Sequence, residues 1–300
     1  MNIFNKMMVT ALPLIPKSII RRFANKYIAG DTLQEAVELT KELNKKGIMA
    51  TIDVLGESVL SKQDASGAAK ECLEVLDAIE EHKLTANHSL KPTSLGLALD
   101  YDFCLQSLTE IVKKAKEINQ FVRIDMEDSP YTTKTLNLYR DVYKNYQNCG
   151  VVIQSYMRRS MDDVKELVKI KTNFRLCKGI YIEPVEIAYR NKQEVRDNYL
   201  NLLRVMFENN CYAGIATHDD FLIDGAYKMI DEFKKGKEEY EFQMLLGVRD
   251  KLRDRILAEG HRVRVYIPFG VHWYKYSIRR FKENPNMAGY AFKALFTGGK

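Results

Sequence analysis

Hydrophobic and polar positions follow two alternating periods along the chain. Short apolar runs with strand character are followed by longer stretches with the period of an amphipathic helix. From about Ile19 to Lys46 the chain reads as helical, with Asp31-Thr32 as a cap. Leu33, Ala36, Val37, Leu39, Thr40 and Leu43 form its apolar stripe before Gly47. Ile48–Leu55 is then a short apolar strand closed by Gly56-Glu57, and Ser66–Glu81 a helix. His88–Lys91 is a strand stopped by Pro92, with a helix at Phe103–Asn119. The pair recurs as strand Phe121–Met126 with helix Thr133–Tyr146, and strand Val151–Ser155 with helix Met161–Lys169. Strand Phe174–Lys178 precedes helix Lys192–Glu208, and strand Tyr212–Thr217 precedes helix Asp219–Lys234. Strand Tyr240–Leu246 precedes helix Arg249–Glu259. Strand Arg262–Ile267 leads through Pro268-Phe269-Gly270 into a last helix, Val271–Asn284, ended by Pro285.

That makes eight strand-then-helix units in 300 residues. Strands separated by helices pair in parallel, and short apolar strands are buried on both faces. The fold class expected is α/β, a closed (β/α)8 TIM-like barrel with N-terminal helices. No Gly-x-Gly-x-x-Gly follows the first strand, which argues against a doubly wound dinucleotide fold. No linker or composition break divides the chain. One domain is expected over 1–300, with a helical arm over 1–45 and the barrel over 46–300.

Composition narrows the class. The hydrophobic fraction of 46% suits a globular core. The net charge of +6 is spread over helix faces without a dense basic patch, so nucleic acid is not an expected partner. The five cysteines, Cys72, Cys104, Cys149, Cys177 and Cys211, are far apart and form no Cys-x-x-Cys. Reduced thiols in a cytoplasmic setting are expected, with no metal site. No apolar run reaches the length of a membrane span. Met7–Ile20 is apolar-rich but broken by Pro13, Pro16 and Lys17, and is expected to pack on the domain rather than lie on a membrane surface.

In such barrels the site lies at the C-terminal ends of the strands. The polar residues there are Lys91; Asp125 to Asp128; Gln154 and Tyr156; Arg175 and Lys178; Thr217 to Asp219; Glu241 and Gln243; and Tyr266. On the last helix Tyr276, Arg279, Arg280 and Glu283 share one face. Two guanidiniums on one stripe suit a small carboxylate ligand, because each fork can grip a carboxylate in bidentate fashion. Each residue also has a plainer reading. The helix face could be solvated, with an Arg279–Glu283 pair worth a few tenths of a kcal/mol. Arg175 in an apolar strand must point to a carboxylate or a ligand. Asp125 could simply partner a barrel cation, Gln154 could satisfy backbone, and His218 could be structural. What favours a ligand is convergence: four or more cations at one mouth repel each other unless anions fill it, which points to phosphates and a carboxylate.

The ordered set Arg175-Leu176-Cys177-Lys178-Gly179-Ile180-Tyr181, Ala216-Thr217-His218, Glu241-Phe242-Gln243-Met244-Leu245 and Tyr276-x-x-Arg279-Arg280-x-x-Glu283-Asn284 resembles proline dehydrogenase, in its small monofunctional bacterial form. The resemblance covers about residues 30 to 285. It implies a distorted barrel that binds FAD and oxidises L-proline to 1-pyrroline-5-carboxylate. The electrons would pass to a quinone, with possible contact on the inner face of the cell membrane. The product would go to a separate pyrroline-5-carboxylate dehydrogenase. By motif match, Asp125 and Arg175 are the catalytic pair, with Arg175 near the flavin N5. Lys91, Arg279 and Arg280 would hold the substrate carboxylate, and Tyr181, Leu245, Tyr266 and Tyr276 would wall its ring. Met126, Gln154, Lys178, Gly179, Ile180, Thr217 and His218 match flavin-contacting positions, and Glu283 would steady the arginine pair. Ile180 stands where the family usually has alanine, Cys177 where valine is usual, and Asp219 where asparagine is usual. Two other readings keep the barrel: a Schiff-base lyase using Lys178 or Lys91, and a non-catalytic carboxylate binder.

Overall fold

The computed structural model describes residues 17–56 and 59–283, apart from several side chains near either end, those of Arg280 and Glu283 among them. Helices α1 (Lys17–Ala24) and α2 (Leu33–Lys45) lead into β1 (Met49–Val54). The alternation then runs α3 (Lys62–Glu81), β2 (Ala86–Leu90), α4 (Tyr101–Glu117), β3 (Val122–Ile124), α5 (Ser129–Tyr143) and β4 (Cys149–Gln154). It continues with α6 (Ser160–Leu167), β5 (Phe174–Cys177), α7 (Lys192–Glu208), β6 (Ala213–Ala216), α8 (Asp220–Glu232) and β7 (Tyr240–Leu245). Helix α9 (Asp250–Ala258), β8 (Val263–Phe269) and α10 (Trp273–Glu283) complete it. The eight strands pair in parallel in chain order, and β1 pairs with β8 to close the barrel.

Side chains alternate across each strand, so one set faces the helices and the other the lumen. The outward set is apolar: Ile52, Ile124, Val151, Leu176, Ile215, Phe242 and Val265 share one buried cluster with helix residues such as Leu76, Ile111, Leu202 and Ile223. Each such side chain, fully buried, contributes roughly 1.5–3 kcal/mol relative to exposure. The inward set is different in kind. Thr51, Asp53, Asn87, Ser89, Arg123, Arg175, Glu241 and Gln243 are all buried polar residues.

The single helix expected from Ile19 to Lys46 is in fact two. A capping box starts α2: Glu35 N bonds Thr32 Oγ1, and the Glu35 carboxylate accepts from the backbone N–H of both Asp31 and Thr32 at 2.9 Å. That carboxylate lies over Gly30, where an added Cβ would sit 2.2 Å from Glu35 Cδ. The break is fixed from outside as well. Ala29 N bonds Pro268 O at 2.9 Å, and Gly270 N bonds Gly30 O at 3.0 Å, so this segment extends the end of β8.

The first turn of the chain then supports the last helix. Ile20, Ala24, Tyr27, Ile28, Leu55 and Tyr276 form a second apolar cluster, against which Trp273, Tyr274 and Ile278 pack. The Arg21 guanidinium lies 4.8 Å from the centre of the Trp273 ring. Of the apolar stretch Met7–Ile20, Ile20 packs as expected, and residues 7–16 lie outside the described residues.

Candidate active site

The mouth is built from ion pairs between strands. Arg175 of β5 donates from Nη1 to Asp125 Oδ1 at 2.7 Å, just past β3, and Ser89 Oγ of β2 donates to the same oxygen at 2.7 Å. Arg175 also lies with its guanidinium 5.8 Å from the Tyr266 ring centre. Lys91 Nζ, after β2, lies 2.9 and 3.0 Å from the two oxygens of Asp53 on β1, and 3.5 Å from the Tyr266 hydroxyl. Burial works against charge on both partners. It lifts the Asp53 carboxyl above its ordinary range, while Lys91, despite its own burial, is held well above its usual value by Asp53. The geometry decides for the ion pair, because both carboxylate oxygens are within bonding reach of Nζ.

A second group of charges sits over β5 and β6. Lys178 Nζ lies 3.1 Å from Asp219 Oδ2, and Arg196 of α7 grips both oxygens of Asp219 at 3.0 and 2.7 Å. Burial alone would raise the Asp219 carboxyl, but its bonds to Arg196 and Lys178 bring it down to about 2. Beside this group the β5–α7 loop exposes apolar side chains, Ile180 at 53% and Ile182 at 91%. Gly179 has φ +100° and no room for a side chain: an added Cβ would lie 2.1 Å from Cδ1 of Tyr156.

Other expected residues have plainer partners. Gln154 donates from Nε2 to the backbone carbonyl of Glu127 at 2.8 Å. His218 Nε2 accepts from the backbone N–H of Leu245 at 3.0 Å. Thr217 Oγ1 accepts from the Asp219 N–H at 3.2 Å. Met126 is buried just past β3. Glu127 is buried, and its carboxylate accepts from Thr93 N at 2.9 Å and Thr93 Oγ1 at 2.5 Å. Tyr181 is half-buried, and burial pushes its phenol upward. The charges acting on it include Glu127, Lys91, Arg279 and Asp125. Tyr276 is buried with Arg279 5.9 Å from its ring centre. The side chains of Arg280 and Glu283 lie outside the described residues.

The anions expected to balance the mouth cations are supplied in part by the chain. Arg175, Lys91 and Lys178 each face a carboxylate of the chain itself. Sequence reasoning missed Asp53, Ser89 and Arg196 as members of the site. The signal for Asp53 and Ser89 was present: Thr51 and Asp53, like Asn87 and Ser89, are polar at alternate positions of an apolar strand. Arg196 carried no signal, because on its helix it reads as an exposed charge.

A closed parallel barrel with charged side chains converging at the C-terminal ends of its strands defines a TIM-barrel enzyme that acts on a small polar ligand. Residues 36–291 match the family described as proline dehydrogenase. Proline dehydrogenase 1 of Bacillus subtilis subsp. natto is 37% identical over 272 residues, covering 91% of this chain and 90% of the relative. Proline dehydrogenase of Deinococcus radiodurans is 33% identical over 280 residues, covering 92% and 90%. Among solved structures, proline utilization A from Bdellovibrio bacteriovorus, inactivated by N-propargylglycine, superposes with a TM-score of 0.82 at 27% identity, over 88% of this chain and 33% of that one. The chain belongs to the proline dehydrogenase family, a family of flavin-dependent oxidoreductases that oxidise proline. The resemblance read from the motifs holds. The Schiff-base reading is not supported by the family, and both lysines it needs lie against carboxylates of the chain. The non-catalytic reading is not supported by the family either.

Proposed function

We propose that the chain oxidises L-proline to 1-pyrroline-5-carboxylate with FAD as its cofactor, and that the mouth of the barrel is where this happens. The single observation that carries the reading is the Arg175–Asp125 pair at 2.7 Å, fixed beside Lys91, Tyr266 and Tyr181 inside the mouth. The residues around Lys178 suit a flavin dinucleotide: two cations for phosphates, a glycine with no room for Cβ, and exposed isoleucines for a flat ring. Met126, Gln154, Arg175, Lys178, Gly179, Ile180, Thr217 and His218 would hold FAD there, and Arg196 joins them. When bound, FAD supplies hydride acceptance.

The chain's own residues do the rest. Arg279 and Arg280 take the proline carboxylate, and Lys91 adds a cation whose charge is already half-satisfied by Asp53. Tyr181, Leu245, Tyr266 and Tyr276 surround the apolar ring and exclude water. Fixing the ring's C5 in one orientation is worth several kcal/mol of barrier. Arg175, held in place by Asp125, stabilises negative charge that develops beside it. Glu283 steadies the arginine pair. The barrel is one domain, with the N-terminal helices as an arm that backs α10.

Electrons leave to a quinone, and the product goes to a separate pyrroline-5-carboxylate dehydrogenase. Among the described residues no helix is long and apolar enough to cross a membrane. Access to a lipid-soluble quinone then needs peripheral contact with the inner face of the membrane, which co-sedimentation with liposomes tests. The function itself is tested by the absorbance spectrum of the purified protein under anaerobic conditions. A flavin spectrum that bleaches on adding L-proline is expected. A colourless protein with no affinity for FAD, or a flavin untouched by proline, contradicts the reading.

A further inference from the structure

Arg175 is held at two points. Nη1 is taken by Asp125 at 2.7 Å and Ser89 at 3.2 Å, and Nε donates to Gln243 Oε1 at 2.6 Å. Fixing both ends of a planar guanidinium fixes its plane and leaves Nη2 as the nitrogen open to a ligand among the described residues. Gln243 is itself fixed. Its Nε2 donates to Glu241 Oε1 at 2.6 Å. One side of this amide faces a donor-only guanidinium and the other an acceptor-only carboxylate, so it has a single orientation. Glu241 is held in turn by Arg264, at 2.6 Å from Nε to Oε1 and 3.0 Å from Nη2 to Oε2, and Arg264 Nη1 bonds Ala50 O at 2.6 Å. All four side chains are at least mostly buried.

The path crosses a strand. Gln243 is on β7 and Arg175 on β5, with β6 between them in the sheet. At the crossing β6 carries Gly214, where an added Cβ would lie 2.4 Å from Gln243 Nε2. A side chain there would close the gap through which the amide reaches Arg175.

We propose that Gln243 is a positioning residue for the reaction: it transmits the fixed geometry of the Glu241–Arg264 pair deep in the barrel to Arg175 at the mouth, through a passage kept open by Gly214. This rests on the reading of Arg175 as the cation beside the flavin. Gln243 bonds Arg175 and Glu241 and, in this reading, works through the guanidinium rather than on the substrate. It acts by holding the guanidinium in the plane that stabilises the reduced flavin.

Removing the amide should leave flavin content and the proline KM within about twofold, because the carboxylate clamp is elsewhere. The Gln243→Leu enzyme is expected to lose about tenfold in kcat, and its preference for reduced flavin should weaken by about tenfold, about 30 mV in a two-electron potential. Gly214→Ala, which displaces the amide without removing it, should reproduce both changes. On an Arg175→Met background, Gln243→Leu should change neither. Gln243→Glu is a second probe. Facing Glu241 across the old hydrogen bond, with Arg264, Arg175, Arg123 and Asp125 as the other charges around it and Tyr212 on Glu241, the new carboxyl must hold a proton to donate. Its kcat should fall as pH rises, in a limb the wild type lacks.

Wild-type potential and pH profile in flavin-loaded Gln243→Leu and Gln243→Glu enzymes would overturn the proposal. So would fully additive losses with Arg175→Met. If neither Gln243 variant folds with flavin, Gln243 belongs to the fold alone and the proposal is equally overturned. A wild-type flavin that proline does not reduce sinks the functional reading instead, so the two failures are distinguishable.

Discussion

The two sides of the same eight strands follow different physics. Outside, Ile52, Leu176, Ile215 and Phe242 pack against helices in one continuous apolar cluster. Stability there comes from area removed from water, has no direction, and tolerates any side chain of similar volume. Inside, Asp53–Lys91, Asp125–Arg175 and Glu241–Arg264 are directional pairs whose charges have been taken out of water. Such pairs roughly break even as stabilisers, because desolvation offsets attraction. A fold would gain little by choosing them. Their value is that each cation keeps one position. The shell therefore holds the barrel up, and the lumen sets the chemistry at its mouth.

The largest effect should come from breaking a lumen pair. Glu241→Leu leaves Arg264 charged and buried without its carboxylate, and is expected to cost about 3–5 kcal/mol in urea unfolding. Adding Arg264→Leu should recover most of that stability and none of the flavin potential, if the pair serves geometry rather than the fold. A shell substitution should do the reverse. Leu202→Ala opens a cavity beneath α7 and is expected to cost about 3 kcal/mol, with potential and proline affinity unchanged.

The smallest effect at neutral pH sharpens the contrast. His88 faces the shell, with Nδ1 3.0 Å from Ile52 O. Burial pushes its pKa from 6.5 down to about 4, so it is neutral in the fold. A folded pKa below the unfolded one means that the unfolded chain binds the proton more readily. The stability is fully present above pH 6.5 and is lost as pH falls toward 4. Melting temperature should therefore drop through that window, and His88→Asn should flatten the limb. Glu241 is also lowered, to about 2, with burial opposed by Arg264, so its loss begins near the ordinary 4.5 and continues below the histidine limb. Acid should unpick the shell histidine before the lumen pair.

The same contrast explains what the sequence disclosed. The shell was legible because its signal is periodic and local. All eight strand–helix units could be placed, and helix Lys192–Glu208 has the expected limits. The lumen was legible only where a charge interrupted an apolar run, as at Arg175 and Asp125. Asp53 alternates with Thr51, but that polar period does not say which residue it meets, and its partner Lys91 is 38 residues away. The break between α1 and α2 was hidden for the same reason. Its backbone partners, Pro268 and Gly270, come from the far end of the chain. Arg196 reaches Asp219 from a helix face that looks solvated. Long-range polar pairing leaves no period in the sequence.

The central proposal is that Arg279 of the last helix takes the substrate carboxylate at a mouth where Arg175, Lys91 and Lys178 each face a carboxylate of the chain itself. The most direct test is the anaerobic rate of flavin reduction as a function of L-proline concentration in the Arg279→Met enzyme. Loss of a buried charged contact is worth about 2–5 kcal/mol, so half-saturation should move at least about 30-fold upward with flavin retained. Half-saturation at the wild-type concentration, in a variant that still carries its flavin, would contradict it.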